Sequence, residues 1–451
     1  MSPLPHRSTD RLSIHRRPCD LRARSARLLI ALLIGSSCVV ALPSPARAAE
    51  GEVIVELDAD ADLAPLLVKH QLSLMGRIDS RPIYRLKLQG KGKVDDKIAA
   101  LGGESAVRLV EANVDLDTTV PSSKTVPWAI GEPDAYVDQW ALRAIRLSEA
   151  HRYTRGKGIR IAVLDAGVDV RHPALAGRLL PGLDVVDGDH DPSEKSSASS
   201  PTYGHGTHVA GLLALVAPEA RIMPIRILDT DGTSNAWLLA EAMLRAMDPD
   251  GDPATDDGAH VINLSVGTLA KTQLFKKVAR LVNCKLSQGK NGDDDDEDDD
   301  DLAVTVADKE RCQGFGGAVV VAAAGNNGND KVREYPAAET SKGLLSVAAT
   351  TSSRSLASFS NYGWVKLAAP GEGITSTVPG GGYGTWSGTS MASPLVAGVA
   401  ALVRAANRSM PVEDVVKRLE SSASKLCDGH LAQLDAAAAV ANVPRDKSTC
   451  K

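Results

Sequence analysis

Five continuous apolar runs in the main part of the chain most constrain its fold. Runs that are apolar at every position are typical of strands covered on both faces. Segments with helical spacing separate them, so the alternation predicts an α/β fold with a three-layer, mostly parallel sheet and helices on both faces. The expected strands are 158–165, 220–228, 260–266, 318–323 and 344–349, and the expected helices are 205–216, 235–247, 391–406 and 412–421.

Residues 50–119 show a different order of elements. Expected strands at 53–57, 74–78, 83–88 and 107–111 and expected helices at 63–72 and 94–101 follow one another as β-α-β-β-α-β. This order predicts a small ferredoxin-like α+β domain. Prolines at 121, 127 and 133 indicate an extended linker over 118–137. The expected division is therefore a small domain at 50–119, a linker at 120–138 and a main domain at 139–451.

The first 48 residues have the pattern of a signal peptide. Seven arginines precede the apolar stretch 28–42, and Ala46-Arg47-Ala48 matches a small-x-small cleavage site. The apolar stretch is shorter than a membrane-spanning helix requires. Residues 1–48 are thus predicted to direct export, with the mature protein secreted or periplasmic and without a membrane anchor.

Cysteine usage agrees with export. Four cysteines follow the predicted signal peptide, at 284, 312, 427 and 450. An even number in an exported protein suggests disulfides, and four cysteines allow three pairings. We favour the pairs of sequence neighbours, 284 with 312 and 427 with 450.

Composition argues against a nucleic-acid partner. The formal net charge is −5, and aromatic residues make up only 3% of the chain. A basic surface and aromatic stacking platforms are therefore not expected.

Polar residues follow three of the expected strands. Asp165, Ser265 and Asn326 all lie at or just beyond carboxyl ends, where parallel sheets gather functional groups. Ser390 precedes an apolar helix, whose free N–H groups favour negative charge. Each residue alone has an ordinary structural explanation as a turn or cap residue.

Together these residues indicate a hydrolase. A serine hydroxyl needs an imidazole to accept its proton and a carboxylate to orient that imidazole. His205 opens an expected helix; His208, three positions later, also suggests zinc, but no nearby Cys or Glu completes such a site. The order Asp, His, Ser is that of subtilisin, and the lipase motif G-x-S-x-G is absent around Ser390.

The motifs around these residues resemble the signatures of the subtilisin-like serine proteases. The matching segments are Asp165-Ala-Gly-Val-Asp, Gly204-His-Gly-Thr-His-Val-Ala-Gly, Ile262-Asn-Leu-Ser-Val-Gly, Ala323-Ala-Gly-Asn and Gly388-Thr-Ser-Met-Ala-Ser-Pro, and the resemblance covers roughly 139–404. It implies a monomeric endopeptidase that acts on polypeptides without a catalytic cofactor. Asp165 then orients His205, the general base and acid; Ser390 is the nucleophile, and Asn326 donates to the oxyanion.

The resemblance also implies a substrate cleft. Residues Ser265, Val266 and Gly267 are expected to pair with the substrate backbone, and Ala323, Ala324 and Gly325 to line the pocket for the side chain before the scissile bond. The small walls suggest room for large or apolar side chains. Ala166 departs from the Thr or Ser usual in the family, which we expect to tune activity and not abolish it.

The domain at 50–119 resembles the inhibitory propeptides of the same family. This implies an intramolecular inhibitor that the enzyme removes itself, by cleavage between Asp117 and Val126. A permanent accessory domain is the alternative.

Acidic segments suggest calcium as a structural extra. Asp248, Asp250, Asp252 and Asp257 resemble the opening of a calcium loop, although no glutamate closes it. Residues 187–191 are a weaker case, and an acidic turn is the alternative for both. The insertion 284–312 contains the acidic run 293–301, which is expected to form a solvated loop between the paired cysteines.

Two other functions remain open from the sequence. One is an inert relative that serves as a peptide-binding module, which the presence of all the catalytic residue types opposes. The other is an esterase or lipase on a similar sheet, which the missing G-x-S-x-G motif opposes.

Overall fold

The computed structural model describes residues 48–117, 132–252, 254–284 and 304–446. The predicted signal peptide, the acidic run 293–301, most of the predicted cleavage window 117–126 and Cys450 lie outside these ranges.

The strands and helices of the described residues are numbered in chain order. The strands are β1 (Ala48–Leu57), β2 (Leu72–Arg77), β3 (Ile83–Leu88), β4 (Val107–Asp117), β5 (Arg160–Asp165), β6 (Leu183–Asp184), β7 (Arg221–Arg226), β8 (Thr233–Asn235), β9 (Val261–Leu264), β10 (Val319–Ala323), β11 (Leu344–Thr350), β12 (Leu367–Pro370), β13 (Ile374–Val378), β14 (Gly382–Trp386), β15 (Ser424–Lys425) and β16 (Ala432–Gln433). The helices are α1 (Leu63–His70), α2 (Val94–Leu101), α3 (Pro133–Val137), α4 (Trp140–Ala144), α5 (Leu147–Ala150), α6 (His205–Val216), α7 (Ala236–Met247), α8 (Gln273–Val282), α9 (Val306–Phe315), α10 (Thr389–Ala406), α11 (Val412–Ser422) and α12 (Ala436–Ala441).

The main sheet has nine strands in the order β15-β16-β12-β11-β10-β9-β5-β7-β6. Every pairing from β6 to β16 is parallel, and only the short β15 runs antiparallel to its neighbour. The five apolar runs form β5, β7, β9, β10 and β11, so the predicted parallel sheet is confirmed.

Two hydrophobic cores cover the faces of this sheet. In β5, Ile161 and Val163 belong to the core that contains α6 and α10, whereas Ala162 and Leu164 belong to the core that contains α7 and α8. This follows from the alternation of side chains along a strand. The predicted three-layer architecture is therefore confirmed.

The N-terminal domain is ferredoxin-like, as predicted. Its antiparallel strands lie in the order β2-β3-β1-β4, with α1 and α2 packed on one face. In β1, Val53 and Val55 belong to that small core, whereas Ile54 points the other way and joins the core around α7 and α8. The second face of the small sheet therefore packs on the main domain.

Polar contacts reinforce this docking. The carboxylate of Glu111 accepts the backbone N–H groups of Gln273 and Leu274, at 2.8 and 3.1 Å, at the start of α8. One turn further, Lys277 Nζ lies 2.8 Å from Glu56 Oε2, and both side chains are buried. A carboxylate at a helix N-terminus satisfies donors that have no partner within the helix.

A second group of contacts joins the two domains near α7 and α9. The side-chain oxygen of Asn113 accepts the N–H of Trp237 at 3.0 Å. Arg81 and Asp308 form an ion pair of 2.5 Å in which each side chain is only 2% exposed. Strand β4 also continues past its own sheet and pairs antiparallel with β8.

The prediction of an extended linker up to residue 137 was wrong for its last part, because Pro133–Val137 forms α3. Pro133 occupies the first turn, where a missing N–H costs little. The hydroxyl of Tyr136 donates to the carbonyl oxygen of Gly211 at 2.6 Å and holds the short helix against α6.

The two ends of the acidic insertion are joined by a disulfide between Cys284 and Cys312, the pairing favoured from the sequence. The end of the insertion is not loop, because α9 begins at Val306 and Thr305 caps it. Cys427 is also disulfide-bonded. Among the described helices, α10 alone is long and apolar enough to cross a membrane, but 89% of it is buried in the protein.

Candidate active site

Asp165 and His205 meet at the carboxyl edge of the main sheet. Asp165 ends β5 and His205 begins α6, and a hydrogen bond of 2.7 Å joins Asp165 Oδ1 to His205 Nδ1. The two side chains are 1% and 2% exposed. Helix α6 approaches β5 closely because residue 206 is glycine: a Cβ there would lie 2.2 Å from the carbonyl oxygen of Gly167.

The carboxylate controls the charge of this histidine. Burial lowers the pKa of His205, but the negative charge of Asp165 and the hydrogen bond to it raise that pKa more, with a further contribution from Glu194. The net result is a pKa above the ordinary value of 6.5. The backbone N–H of Ala166 donates to the same Asp165 oxygen at 2.7 Å. The carboxylate is therefore held by a backbone donor even though residue 166 has no side-chain hydroxyl.

Ser390 is the second residue of α10, which packs beside α6. Its carbonyl oxygen accepts a hydrogen bond from Ser265 at 3.4 Å, just beyond β9. Trp386, four positions earlier, stacks on the His205 ring with 6.3 Å between centroids. These contacts bring Ser390 to the edge of the sheet where Asp165 and His205 lie.

Two functional atoms of this group, Ser390 Oγ and His205 Nε2, are buried. Within the described part of the chain, neither Ser390 Oγ nor His205 Nε2 has a hydrogen-bond partner. Buried polar atoms are normally paired, and exceptions concentrate where chemistry is done. Hydrogen bonds between catalytic groups are often long without substrate and shorten when it binds.

Asn326 is oriented by the helix that carries Ser390. Its side-chain oxygen accepts the N–H of Thr389 at 2.9 Å and the hydroxyl of Thr389 at 3.2 Å. The hydroxyl oxygen of Thr389 accepts the N–H of Gly325 at 3.1 Å. With its oxygen used in this way, the carboxamide presents its NH₂ group as the donor.

The six residues expected to form the cleft lie on two neighbouring strands. Ser265, Val266 and Gly267 follow β9 directly, and Ala323 ends β10, with Ala324 and Gly325 after it. Since β9 and β10 are parallel neighbours, both sets lie at the same edge of the sheet as Asp165. The structure thus brings the expected cleft residues and catalytic residues to one edge.

Sequence reasoning missed Glu334 at this edge. Its side chain is 1% exposed, and its carboxylate lies against Gly325 and Gly267. Glu334 lies in an irregular segment between β10 and β11, where neither periodicity nor a motif marks it.

The zinc interpretation of His205 and His208 finds no support among the described residues. His208 Nε2 donates to the carbonyl oxygen of Gly384 at 3.1 Å, and its ring stacks on Trp386 with 4.5 Å between centroids. Burial lowers the pKa of His208 to about 3, so the ring is neutral at pH 7. His208 thus positions the strand that leads to Ser390.

Three of the four predicted calcium ligands lie together. Carboxylate oxygens of Asp248, Asp250 and Asp257 are within 4.8 Å of one another, whereas Asp252 is not in the group and caps the N–H of Ala254. Buried oxygens of Asp248 and Asp257 have no hydrogen-bond partner, which fits a cation. Asp248 also pairs with Arg311, which supplies part of the positive charge. Calcium here stays a prediction.

The weaker calcium candidate at 187–191 is already neutralised by protein cations. Lys195 Nζ lies 2.8 Å from both Asp184 and Asp187 and 3.5 Å from Asp189. Arg226 also pairs with Asp184 and Asp187, at 2.6 and 2.9 Å. These ion pairs favour the alternative of an acidic turn.

Comparisons with known families agree with this architecture. The model of the Subtilase family matches residues 156–438. A second model, the Fervidolysin N-terminal prodomain, matches residues 37–113.

Relatives match over most of the chain. A thermophilic serine proteinase from Bacillus sp. (strain AK1) is 34% identical over 393 residues, which are 84% of this chain and 83% of that protein. Thermitase from Thermoactinomyces vulgaris is 35% identical over 299 residues, which are 64% of this chain and 89% of thermitase. The crystal structure of fervidolysin from Fervidobacterium pennivorans, a keratinolytic enzyme related to subtilisin, matches with a TM-score of 0.67 and 24% identity, over 89% of this chain and 62% of that one. That last match supports the fold.

The fold and these matches define a serine protease with an N-terminal prodomain. The chain belongs to the subtilase family. As in other subtilases, its substrates are polypeptides and its chemistry needs no cofactor.

Proposed function

We propose that this protein is an exported serine endopeptidase, made as a precursor that it processes itself, with Asp165, His205 and Ser390 as the catalytic relay. The observation that carries the proposal is the buried hydrogen bond of 2.7 Å between Asp165 and His205, at the sheet edge where α10, the helix that contains Ser390, begins.

The reaction follows from the chemistry of these groups. Ser390 Oγ attacks the scissile carbonyl carbon while His205 Nε2 takes the hydroxyl proton, and Asp165 stabilises the imidazolium through Nδ1. The oxyanion accepts hydrogen bonds from the Asn326 NH₂ group and from the backbone N–H of Ser390 at the helix N-terminus. His205 then gives its proton to the leaving amine, and water hydrolyses the acyl-enzyme by the same steps in reverse.

The prodomain acts as the intramolecular inhibitor in this proposal. Its sheet is docked on α7 and α8 through buried contacts, and β4 extends beyond it to pair with β8 of the main domain. Support for export comes from the predicted signal peptide at 1–48 and from the disulfide between Cys284 and Cys312. The boundaries 50–119, 120–138 and 139–451 belong to the same proposal, and α3, which begins at Pro133, lies within the segment 120–138.

Digestion of casein by the exported protein and by its Ser390→Ala variant tests the proposal. We expect the wild type to degrade casein and the variant to lose about 10⁶-fold in kcat, as when the nucleophile of subtilisin is removed. Equal activity in both proteins contradicts the assignment of Ser390.

A fluorophosphonate probe separates the alternatives. A peptidase is labelled at Ser390 and degrades casein. An inert peptide-binding relative is not labelled, and an esterase is labelled but leaves casein intact. Ser390→Ala is the control for specific labelling.

A further inference from the structure

The carboxylate of Glu334 lies against two residues of the expected substrate cleft, Gly325 and Gly267. A Cβ built on Gly325 would lie 2.0 Å from Glu334 Oε1, and one built on Gly267 would lie 3.0 Å from Oε2. Gly267 is the last residue of the expected backbone-binding edge, and Gly325 the last of the pocket wall. The carboxylate reaches both because neither wall residue has a side chain.

The main chain around Glu334 is tied to the cleft. The next residue, Tyr335, pairs with Thr268, the residue after Gly267, through N–H to carbonyl bonds of 2.8 and 2.9 Å. This pairing carries the Glu334 side chain to the wall formed by 265–267. The position is thus set by backbone hydrogen bonds and does not depend on a flexible loop.

Two neutral amide groups hold the carboxylate in place. The side-chain NH₂ groups of Asn327 and Asn361 donate to Glu334 Oε1, at 2.5 and 3.3 Å. Asn361 Nδ2 also donates to the carbonyl oxygen of Ala324 at 2.9 Å, which ties the same network to the pocket wall. Donors to a carboxylate favour its charged form. A carboxylate held by two donors that favour its charged form therefore lies beside the residues expected to receive the substrate side chain.

We propose that Glu334 makes this pocket select lysine or arginine immediately before the scissile bond. The small walls Ala323, Ala324 and Gly325 suit the apolar stem of these side chains, and the cationic end meets the carboxylate. A large apolar side chain in the same place would bring no hydrogen-bond donor to the carboxylate. This inference rests on the proposed peptidase function and names its substrate class.

A panel of peptides that differ only at the residue before the scissile bond tests the selection. We expect the mature wild-type enzyme to cleave the lysine and arginine peptides with a kcat/KM at least about tenfold above that for leucine or phenylalanine. For Glu334→Gln, which keeps an acceptor for Asn327 but loses the charge, kcat/KM for the basic peptides is expected to fall roughly 10²-fold. In the same variant, kcat/KM for the leucine peptide is expected to stay the same or rise.

Glu339→Gln is the matched control, because Glu339 is a buried carboxylate of the same segment that faces Lys271 and Lys276. It should leave the preference unchanged. An equal loss for all peptides in Glu334→Gln indicates a merely structural role and overturns the inference, as does a wild-type preference for apolar residues. If the variant does not fold, the residues that precede the bonds cut in casein by the wild type test the same preference for lysine and arginine. Failure of the wild type to cut any peptide refutes the peptidase proposal instead.

Discussion

At the scale of single residues, the charge of His205 decides whether the proposed nucleophile can be activated. Only the neutral imidazole accepts a proton, and the pKa of His205 is raised above 6.5 by Asp165 despite its burial. The active fraction therefore grows as the pH rises through a value above 6.5. We expect the acid limb of kcat/KM, measured from pH 5 to 9, to have its midpoint there.

The control for this pH dependence is Asp165→Asn. Loss of the carboxylate removes the interaction that raises the pKa, so the acid limb should move to lower pH. The rate should also fall by about 10⁴-fold, as when the orienting aspartate of a serine protease is neutralised. A limb that stays in place would show that another group titrates.

Substitution of Asn326 tests whether its side chain donates to the oxyanion. Asn326→Ala removes the proposed donor, and we expect kcat to fall by ~10²–10³ with KM little changed, the loss known for the corresponding asparagine of subtilisin. The reason is that the donor acts on charge that develops in the transition state. Steady-state kinetics on a peptide substrate measure both constants.

Asn326→Asp separates donation from structure. Aspartate keeps the oxygen that accepts from Thr389, so the start of α10 remains held. It lacks the NH₂ donor, and its loss of kcat should be at least as large as that of Asn326→Ala. Wild-type activity in the aspartate variant would contradict the oxyanion role.

At the scale of elements, the contacts that dock the N-terminal sheet on α8 include a buried ion pair between Glu56 and Lys277. Removing one partner of such a pair leaves the other charge buried and costs about 3–5 kcal/mol. We expect Glu56→Gln, introduced into the uncleaved Ser390→Ala precursor, to lower the unfolding temperature, as measured by calorimetry. The exposed Glu50→Gln is the matched control, and an equal result for both would show that the pair between Glu56 and Lys277 contributes little.

The elements also show what the sequence could predict. Helix α6 has the predicted bounds 205–216, and the five apolar runs form strands, because burial on both faces imposes a pattern on every residue. Helix α3 was missed because the prolines at 121, 127 and 133 indicated extended chain, and the helix is held against α6 by the contact of Tyr136 with Gly211. That contact spans residues far apart in the sequence.

The residues of the candidate site also divide into those that local sequence predicts and those that depend on contacts between distant parts of the chain. Asp165, His205, Asn326 and Ser390 are found from local motifs, since each motif includes the turn or helix start that positions its side chain. Glu334 is not, because its place in the pocket comes from the pairing of Tyr335 with Thr268, about 67 positions away along the chain. Likewise Asp252 fits a calcium loop by spacing, but its side chain caps a neighbouring N–H.

At the scale of the whole molecule, the docked prodomain and the proposed pocket chemistry together predict where the precursor is cut. The self-cleavage window is 117–126, and Lys124 is the one basic residue between Arg108 and Arg143. If Glu334 selects a basic residue before the scissile bond, the mature enzyme begins at Thr125. Intact-mass spectrometry of the exported wild type measures this terminus directly.

Two variants separate the parts of this prediction. Ser390→Ala should accumulate as the uncut precursor, because the cleavage is the enzyme's own. Lys124→Gln should mature slowly or at another bond, since no other residue in the window carries a positive charge to pair with Glu334. Normal maturation of Ser390→Ala would mean that another protease does the processing. Normal maturation of Lys124→Gln at an unchanged terminus would remain compatible with self-processing. It would show, however, that the pocket does not select the cleavage site by the charge of residue 124.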